Sequence, residues 1–293
     1  MIGTFHGRDA TRQGSKKLKA SKWAVAVALV GLSLWCGACH RPPPAAIAGM
    51  VRLPGGTFTM GCVAGDKRCR DEEKPAHRVT LTPFYLDEHP VTVVEYRPCV
   101  AAKICKPAQL DENEWWRNYD NLDRADRADH PANGVDWDDA SAYCRWAGKR
   151  LPTEAEFEYA LRGGRDGQIY AGGDAAAPGN GGPSKPAKPR TNLPASPSEP
   201  GWEGTAPVCA AGRNAFGLCD MEGNVWEWCA DWFGAHYYAA SPRRNPQGPP
   251  TGEDHVLRGS TQYAFPELRR ASYREFSDHD FVAFYVGFRC ARD

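Results

Sequence analysis

Between His40 and Asp293 the chain has no C-x-x-C pair, which removes the usual thiolate spacing of structural zinc sites. It has no net charge, with 36 basic and 36 acidic residues, so no basic footprint points to nucleic acid. It has no comfortable transmembrane segment, because the apolar run from Trp23 to Trp35 falls short of the roughly 20 residues a bilayer requires. No Gly-x-Ser-x-Gly occurs, so the nucleophile elbow usual in Ser–His–Asp hydrolases is missing. Fixed-period repeats and heptad arrays are absent too, which leaves an ordinary globular domain as the expectation.

Cysteine, by contrast, is abundant. Eleven are many for a chain of 293 residues in a reducing compartment. Cys62 and Cys69, Cys99 and Cys105, and Cys209 and Cys219 lie close together and read as local disulfide pairs formed in an oxidising compartment, with zinc thiolates as the rival. The N-terminus agrees with export. Arg8, Arg12, Lys16, Lys17, Lys19 and Lys22 precede the apolar run, and Cys36-Gly37-Ala38-Cys39 closes it, which is the layout of a secretory signal over residues 1–39. Gly-Ala-Cys resembles the end of a bacterial lipobox, with Cys39 as the lipidated residue. Cys36 stands where the lipobox usually has Leu, so a plain cut after Ala38 stays open, and an uncleaved anchor is a third option. The expectation is an exported protein of the cell envelope, periplasm-facing or an outer-membrane lipoprotein, held to the membrane by its lipid anchor.

Residues 40–49, with Pro42, Pro43 and Pro44, read as a tether, and residues 50–293 as the folded domain. Residues 172–201 are rich in Gly, Pro, Ala and Ser and predict a long surface loop; the charged residues 111–130 predict a second surface insertion. Thr92 and Glu95 form a capping-box pattern. Asp136 caps a helix reaching about Ala147, whose Ala140, Tyr143, Cys144 and Ala147 share one face, with Gly148 ending it. Thr153 and Glu156 form another box before the short stripe of Phe157, Ala160 and Leu161, stopped by Gly163 and Gly164. Strands are expected at 78–86 and 282–289. With 11% aromatics and 30 glycines, the pattern implies an irregular fold of low helix and modest sheet content around Trp and Tyr side chains.

Five segments, in order, resemble the formylglycine-generating-enzyme (sulfatase-modifying factor) family: Leu53-Pro54-Gly55-Gly56-Thr57-Phe58-Thr59-Met60-Gly61; His77-Arg78-Val79-Thr80-Leu81 with Phe84 and Pro90-Val91-Thr92; Val135-Asp136-Trp137 with Gly148-Lys149-Arg150-Leu151-Pro152-Thr153-Glu154-Ala155-Glu156; Gly204-Thr205-Ala206-Pro207-Val208 with Asp220-Met221 and Gly223-Asn224-Val225-Trp226-Glu227-Trp228; and Leu257-Arg258-Gly259-Ser260 with Val286-Gly287-Phe288-Arg289-Cys290. Together they span residues 50–293. The resemblance implies an α+β, irregular, C-type-lectin-like fold and a disulfide between Cys144 and Cys290. It implies calcium held by Asp220, Gly223, Val225 and Glu227, and a substrate groove near Arg258, Tyr263, Tyr273 and Arg274. A second family calcium site falls on Glu199-Pro200-Gly201-Trp202, where proline replaces an expected acidic ligand.

Enzymes of that family bind copper(I) through a cysteine pair soon after the Gly-Gly-Ser motif and oxidise a client cysteine to formylglycine. A soft thiolate pair suits copper(I). Here the stretch reads Gly259-Ser260-Thr261-Gln262-Tyr263-Ala264-Phe265-Pro266-Glu267-Leu268 and contains no cysteine, so copper is not expected and no catalytic residue is carried over. His255 and His279 are the residues that could replace a ligand. Cys229 is left single and reads as a buried thiol. The iron-binding His-x-x-x-His-x-Glu spacing of relatives that form sulfur–carbon bonds is absent. These readings favour an accessory or binding module facing an envelope protein, peptide or glycan. The alternative is a formylglycine-generating or related oxidase with a changed ligand set.

Overall fold

The computed structural model describes residues 47–107, 122, 124–171, 205–210, 212–261 and 264–293, which fall within one compact unit, Ala45–Asp293. Cys39, Tyr263, most of the 111–130 insertion and the whole of the 172–201 loop lie outside the described residues. In chain order the strands are β1 (Met50–Leu53), β2 (Gly56–Met60), β3 (His77–Leu81), β4 (Phe84–Asp87), β5 (Trp226–Trp232), β6 (Asp254–Arg258), β7 (Glu275–Asp278), β8 (Val286–Gly287) and β9 (Ala291–Arg292). The helices are α1 (Val93–Ala101), α2 (Trp137–Trp146) and α3 (Glu154–Arg162). Low helix content, short strands and long irregular connections make this the expected α+β fold. No described helix is long and apolar enough to cross a membrane.

Each helix starts where its capping residues direct. Glu95 reaches back to the Thr92 amide (2.8 Å) and hydroxyl (2.7 Å). The Asp136 carboxylate accepts from the Asp139 amide at 2.7 Å. Thr153 and Glu156 exchange bonds of 2.8 and 3.2 Å, satisfying amides that the first helical turn leaves without partners. Gly163 then ends α3 in the left-handed conformation (φ +59°), where a Cβ would be strained. The sequence reads α3 as a narrow apolar stripe, yet every residue from Glu154 to Arg162 is buried. Its polar face is covered because Glu154 and Glu158 find arginine partners from other segments.

Three sheets form. β1, β4 and β9 make one, in the order β1-β4-β9; β2 and β3 pair as a ribbon; and β7-β6-β5-β8 make the largest, with β8 parallel to β5. The expected strand at 78–86 is broken into β3 and β4 around Pro83, which lacks an amide donor. Of the expected strand at 282–289, only residues 286–287 pair as strand. The domain also begins slightly before Met50, since the Gly49 carbonyl already accepts from Glu88 at 3.0 Å. The end of the 111–130 insertion is packed inside, with Arg127 and His130 buried, where a solvated loop was expected.

Alternation along the large sheet builds the core on both of its faces. Trp226 and Trp228 of β5 and Leu257 of β6 enter one apolar cluster, with Tyr96, Tyr143 and Phe288. Cys229 and Val256 enter the other, with Phe58, Phe157 and Leu161. Among the described residues, four disulfides close the structure: Cys62–Cys69, Cys99–Cys105, Cys209–Cys219 and Cys144–Cys290. The last ties α2 to the segment before β9 across a sequence separation of 146.

Candidate functional site

A groove of about 460 Å³ opens beside the large sheet. Its apolar lining comes from Trp226, Leu257, Leu268, Phe281 and Tyr285, and residues 275–277 of β7 form one wall. Thr261, Ala264 and Phe265 border it from the segment that follows Gly259-Ser260. Ser260 turns that segment with φ +70°, and the Gly259 carbonyl accepts from the Gly223 amide at 2.7 Å, which fixes the turn against the Asp220–Trp226 loop. Phe265 is 70% exposed, which makes it an apolar group presented to solvent at the groove. Glu275 is the acidic residue in the lining; its carboxylate accepts from the Tyr273 hydroxyl at 3.1 Å and the Phe276 amide at 3.3 Å.

The groove is not built by the arginines that the resemblance suggests. Arg258 and Arg274 are each 1% exposed. Arg274 forks onto Glu154 with bonds of 2.7 and 2.9 Å, and Arg258 bridges Glu154 (3.2 Å) and Glu158 (2.8 Å). Arg162 closes the set on Glu158 at 2.7 Å. Burial disfavours charge, but here each carboxylate meets two guanidinium groups, and the Arg274 and Arg258 charges hold the Glu154 pKa below its usual value. These residues are therefore structural. Tyr273 is also buried, and supports the groove from behind through its bond to Glu275 and its ring against Trp226.

The calcium set fares similarly. Glu227 is fully buried and gives both oxygens to Arg289, at 2.7 and 2.8 Å. The same guanidinium reaches the carbonyls of Cys219 (2.9 Å) and Asp220 (3.3 Å). The Asp220 carboxylate accepts from the Cys209 amide at 2.7 Å, and the Gly223 carbonyl accepts from the Val225 amide at 3.0 Å. The Glu227 carboxylate and the Asp220 carbonyl are thus already committed to a cation, the arginine, and the four residues do not fit calcium as a free set of oxygen ligands. Arg289 was legible in the final motif, but its partner is a long-range contact that spacing does not reveal.

Cys229 is the one free cysteine among the described residues and is fully buried. Burial, followed by the nearby Asp231 and Glu154 charges, pushes its thiol well above the ordinary range, so it remains protonated and unreactive. His255 lies between Trp137 and Trp232, with ring centroids 3.8 Å from each. Its Nδ1 donates to the Asp231 carbonyl at 3.2 Å, and burial pulls its pKa down to about 4. His279 is exposed and pairs with Asp138 at 3.1 Å. Groups of three potential metal ligands among the described residues are Glu88 with Cys209 and Cys219, and Asp66 with Cys69 and Glu73; the sulfurs in both are committed to disulfides. One residue escaped the sequence reading entirely. Glu222 is fully buried with no well-formed hydrogen bond on either carboxylate oxygen among the described residues, and burial, partly offset by Arg269 and the Ala171 amide, raises its pKa to about 7. Only its place between Met221 and Gly223, inside an otherwise apolar turn, hinted at that.

Residues 38–293 match the model of the sulfatase-modifying factor enzyme 1-like domain. A formylglycine-generating enzyme of Streptomyces coelicolor is 38% identical over 302 aligned residues, covering 87% of this chain and 94% of that one. One from Mycobacterium tuberculosis is 34% identical, covering 83% and 97%. Among solved structures, PvdO from Pseudomonas aeruginosa superposes with a TM-score of 0.65 at 28% identity, over 83% of this chain and 94% of that one. Motifs, fold and relatives agree, and the chain belongs to the sulfatase-modifying factor (formylglycine-generating-enzyme-like) domain family.

Proposed function

We propose that this chain is a binding module of the family, exported and held at the cell envelope through Cys39, whose groove captures an apolar side chain of an envelope partner. The observation that carries the reading is the groove's composition. Where enzymes resembling it place a copper-binding cysteine pair after the Gly-Ser turn, this groove is bordered by Thr261, Ala264 and Leu268. Methyl and methylene groups there offer apolar contact and no soft ligand for copper(I). An aromatic, partly open pocket of this size with one acidic group suits side-chain capture.

The rival is a formylglycine-generating or related oxidase with a changed ligand set, favoured by the 38% identity to an enzyme of that name. One experiment separates them. The full chain is incubated with copper(I), oxygen and a cysteine peptide of the sulfatase type, beside a family enzyme, and the peptide mass is followed. The binding reading expects an unchanged peptide in this sample and conversion in the parallel one. Formylglycine in both would replace it with the oxidase.

A further inference from the structure

The wall of the groove that β7 supplies is also the edge of the largest sheet. β7 lies outermost in the order β7-β6-β5-β8, and among the described residues no strand pairs with its outer side. The direction of its backbone groups follows from its neighbours. The Asp254 carbonyl faces β5, where it accepts from the Phe233 amide at 2.7 Å. The β6 residues turned toward β7 are then His255 and Leu257, which stand opposite Ser277 and Glu275. Phe276 and Asp278 therefore turn their N–H and C=O groups outward. The Phe276 amide bears this out, since it donates to the Glu275 carboxylate (3.3 Å), and the Asp278 carbonyl accepts from the Phe281 amide (3.2 Å) beyond the strand.

An unpaired edge beside an apolar groove is a template for an incoming strand. The charges around it select its partner. Glu275, Asp278, Asp280, Asp254 and Glu253 lie on or next to this edge, and no ion pair among the described residues neutralises any of them. Asp254 and Asp278 are directly opposite across the β6–β7 ladder, a like-charge pairing that destabilises a sheet unless a cation joins it.

We infer that the groove binds an extended, basic polypeptide segment that adds to β7 as a further strand, placing an apolar side chain in the groove and, on the opposite face, Lys or Arg side chains against Asp278 and its ladder neighbour Asp254. This rests on the capture reading above and names its partner class. Strand addition uses the outward Phe276 amide and so releases it from the Glu275 carboxylate, which stays at the groove with the Tyr273 hydroxyl. Alternation does the sorting, because successive side chains of a strand point to opposite faces, so apolar and basic residues must alternate or nearly so.

The test uses the full chain, Nile red as a neutral reporter of the groove, and a synthetic nonapeptide of alternating Leu and Lys. Two isomers carry N-methyl groups, one on the Leu amides and the other on the Lys amides, and a further analogue replaces Lys by Glu. The expected result is displacement of Nile red by the Leu–Lys peptide. One methylated isomer, the one whose amides face β7, binds at least tenfold more weakly, and so does the Glu analogue. Binding of the Leu–Lys peptide also weakens with added salt. Asp278→Lys should leave Nile red binding intact while weakening the Leu–Lys peptide about tenfold. Equal binding of both methylated isomers and the parent overturns strand addition and leaves the groove reading standing. Equal binding of the Glu analogue overturns the charge selection. Nile red that binds but is displaced by no peptide overturns this inference alone. Failure of Nile red and every peptide to bind removes the groove reading with it.

Discussion

Arg289 and Glu227 form a two-pronged ion pair in the core, Nε to Oε2 at 2.7 Å and the second nitrogen to Oε1 at 2.8 Å, with both side chains fully buried. The pair joins the last irregular segment to β5 and takes up the carbonyls of the Asp220 loop. A fixed guanidinium thereby performs the charge balancing that a bound cation would otherwise supply.

The first prediction follows from that geometry. Melting temperatures measured in calcium and in EDTA should not differ through this loop. A calcium-dependent rise that Glu227→Gln abolishes would show that the carboxylate can serve a metal after all. Arg289→Lys should destabilise by about 3–5 kcal/mol in urea titrations, because lysine cannot reproduce the fork and leaves buried acceptors unpaired.

Glu154 is the second test. It receives Arg274, Arg258 and the Tyr238 hydroxyl, so Glu154→Ala strands the buried Arg274 and leaves Arg258 with Glu158 alone. A loss of about 3–5 kcal/mol is expected, larger than for Phe265→Ala at the exposed groove rim, which should stay within ~0.5 kcal/mol. Similar losses for the two variants would contradict a structural role for Arg258 and Arg274.

Local chemistry makes much of the fold readable from the order of residues alone. Thr92 with Glu95, Asp136, Thr153 with Glu156, and Gly163 act within a few residues of themselves, and the start of each helix and the end of α3 follow from them. The cysteine pairs are legible for the same reason, apart from Cys144 with Cys290, which only the family resemblance links. The site is less legible because its key facts are contacts between distant segments. Arg258 and Arg274 look like surface anchors until α3 supplies Glu154 and Glu158, at least 100 residues earlier in the chain. Likewise, no periodicity in residues 275–278 announces an edge strand; that status depends on where β6 places it.

The disulfides should differ in weight. Cys144–Cys290 closes a separation of 146 residues, whereas Cys99–Cys105 closes 6. In the chain-entropy picture the long bridge restricts the unfolded chain far more, about 5 kcal/mol against ~2 kcal/mol. Paired Cys→Ser replacement at each bridge, followed by urea unfolding under oxidising conditions, should show the larger loss at Cys144 and Cys290. A larger loss at Cys99 and Cys105 would show that native packing, rather than unfolded-state entropy, sets the ranking.

Two buried groups give stability opposite pH dependences over overlapping windows, which largely offset each other between 4.5 and 6.5. His255 has its pKa pulled from 6.5 to about 4, so between those values the unfolded chain binds more protons than the native one. Its stabilising contribution is present above pH 6.5 and is lost as pH falls toward 4. Glu222 is the mirror case. Its pKa is raised from 4.5 to about 7, so the native state holds the extra proton, and its contribution is present below pH 4.5 and lost as pH rises through 7. Each shift corresponds to roughly 1–3 kcal/mol at its limit. Glu222→Gln keeps the shape of the neutral carboxyl, so it should stabilise the protein at about pH 8 and change little at about pH 5. His255→Phe keeps a ring between the two indoles and removes the counteracting slope, so stability should then fall as pH rises from 4.5 toward about 7. Urea unfolding from about pH 4.5 to about pH 8.5 on the parent and both variants reads these slopes directly. If Glu222→Gln instead destabilises at the alkaline end, that carboxylate is ionised and held by a cation, and the native state carries no extra proton there.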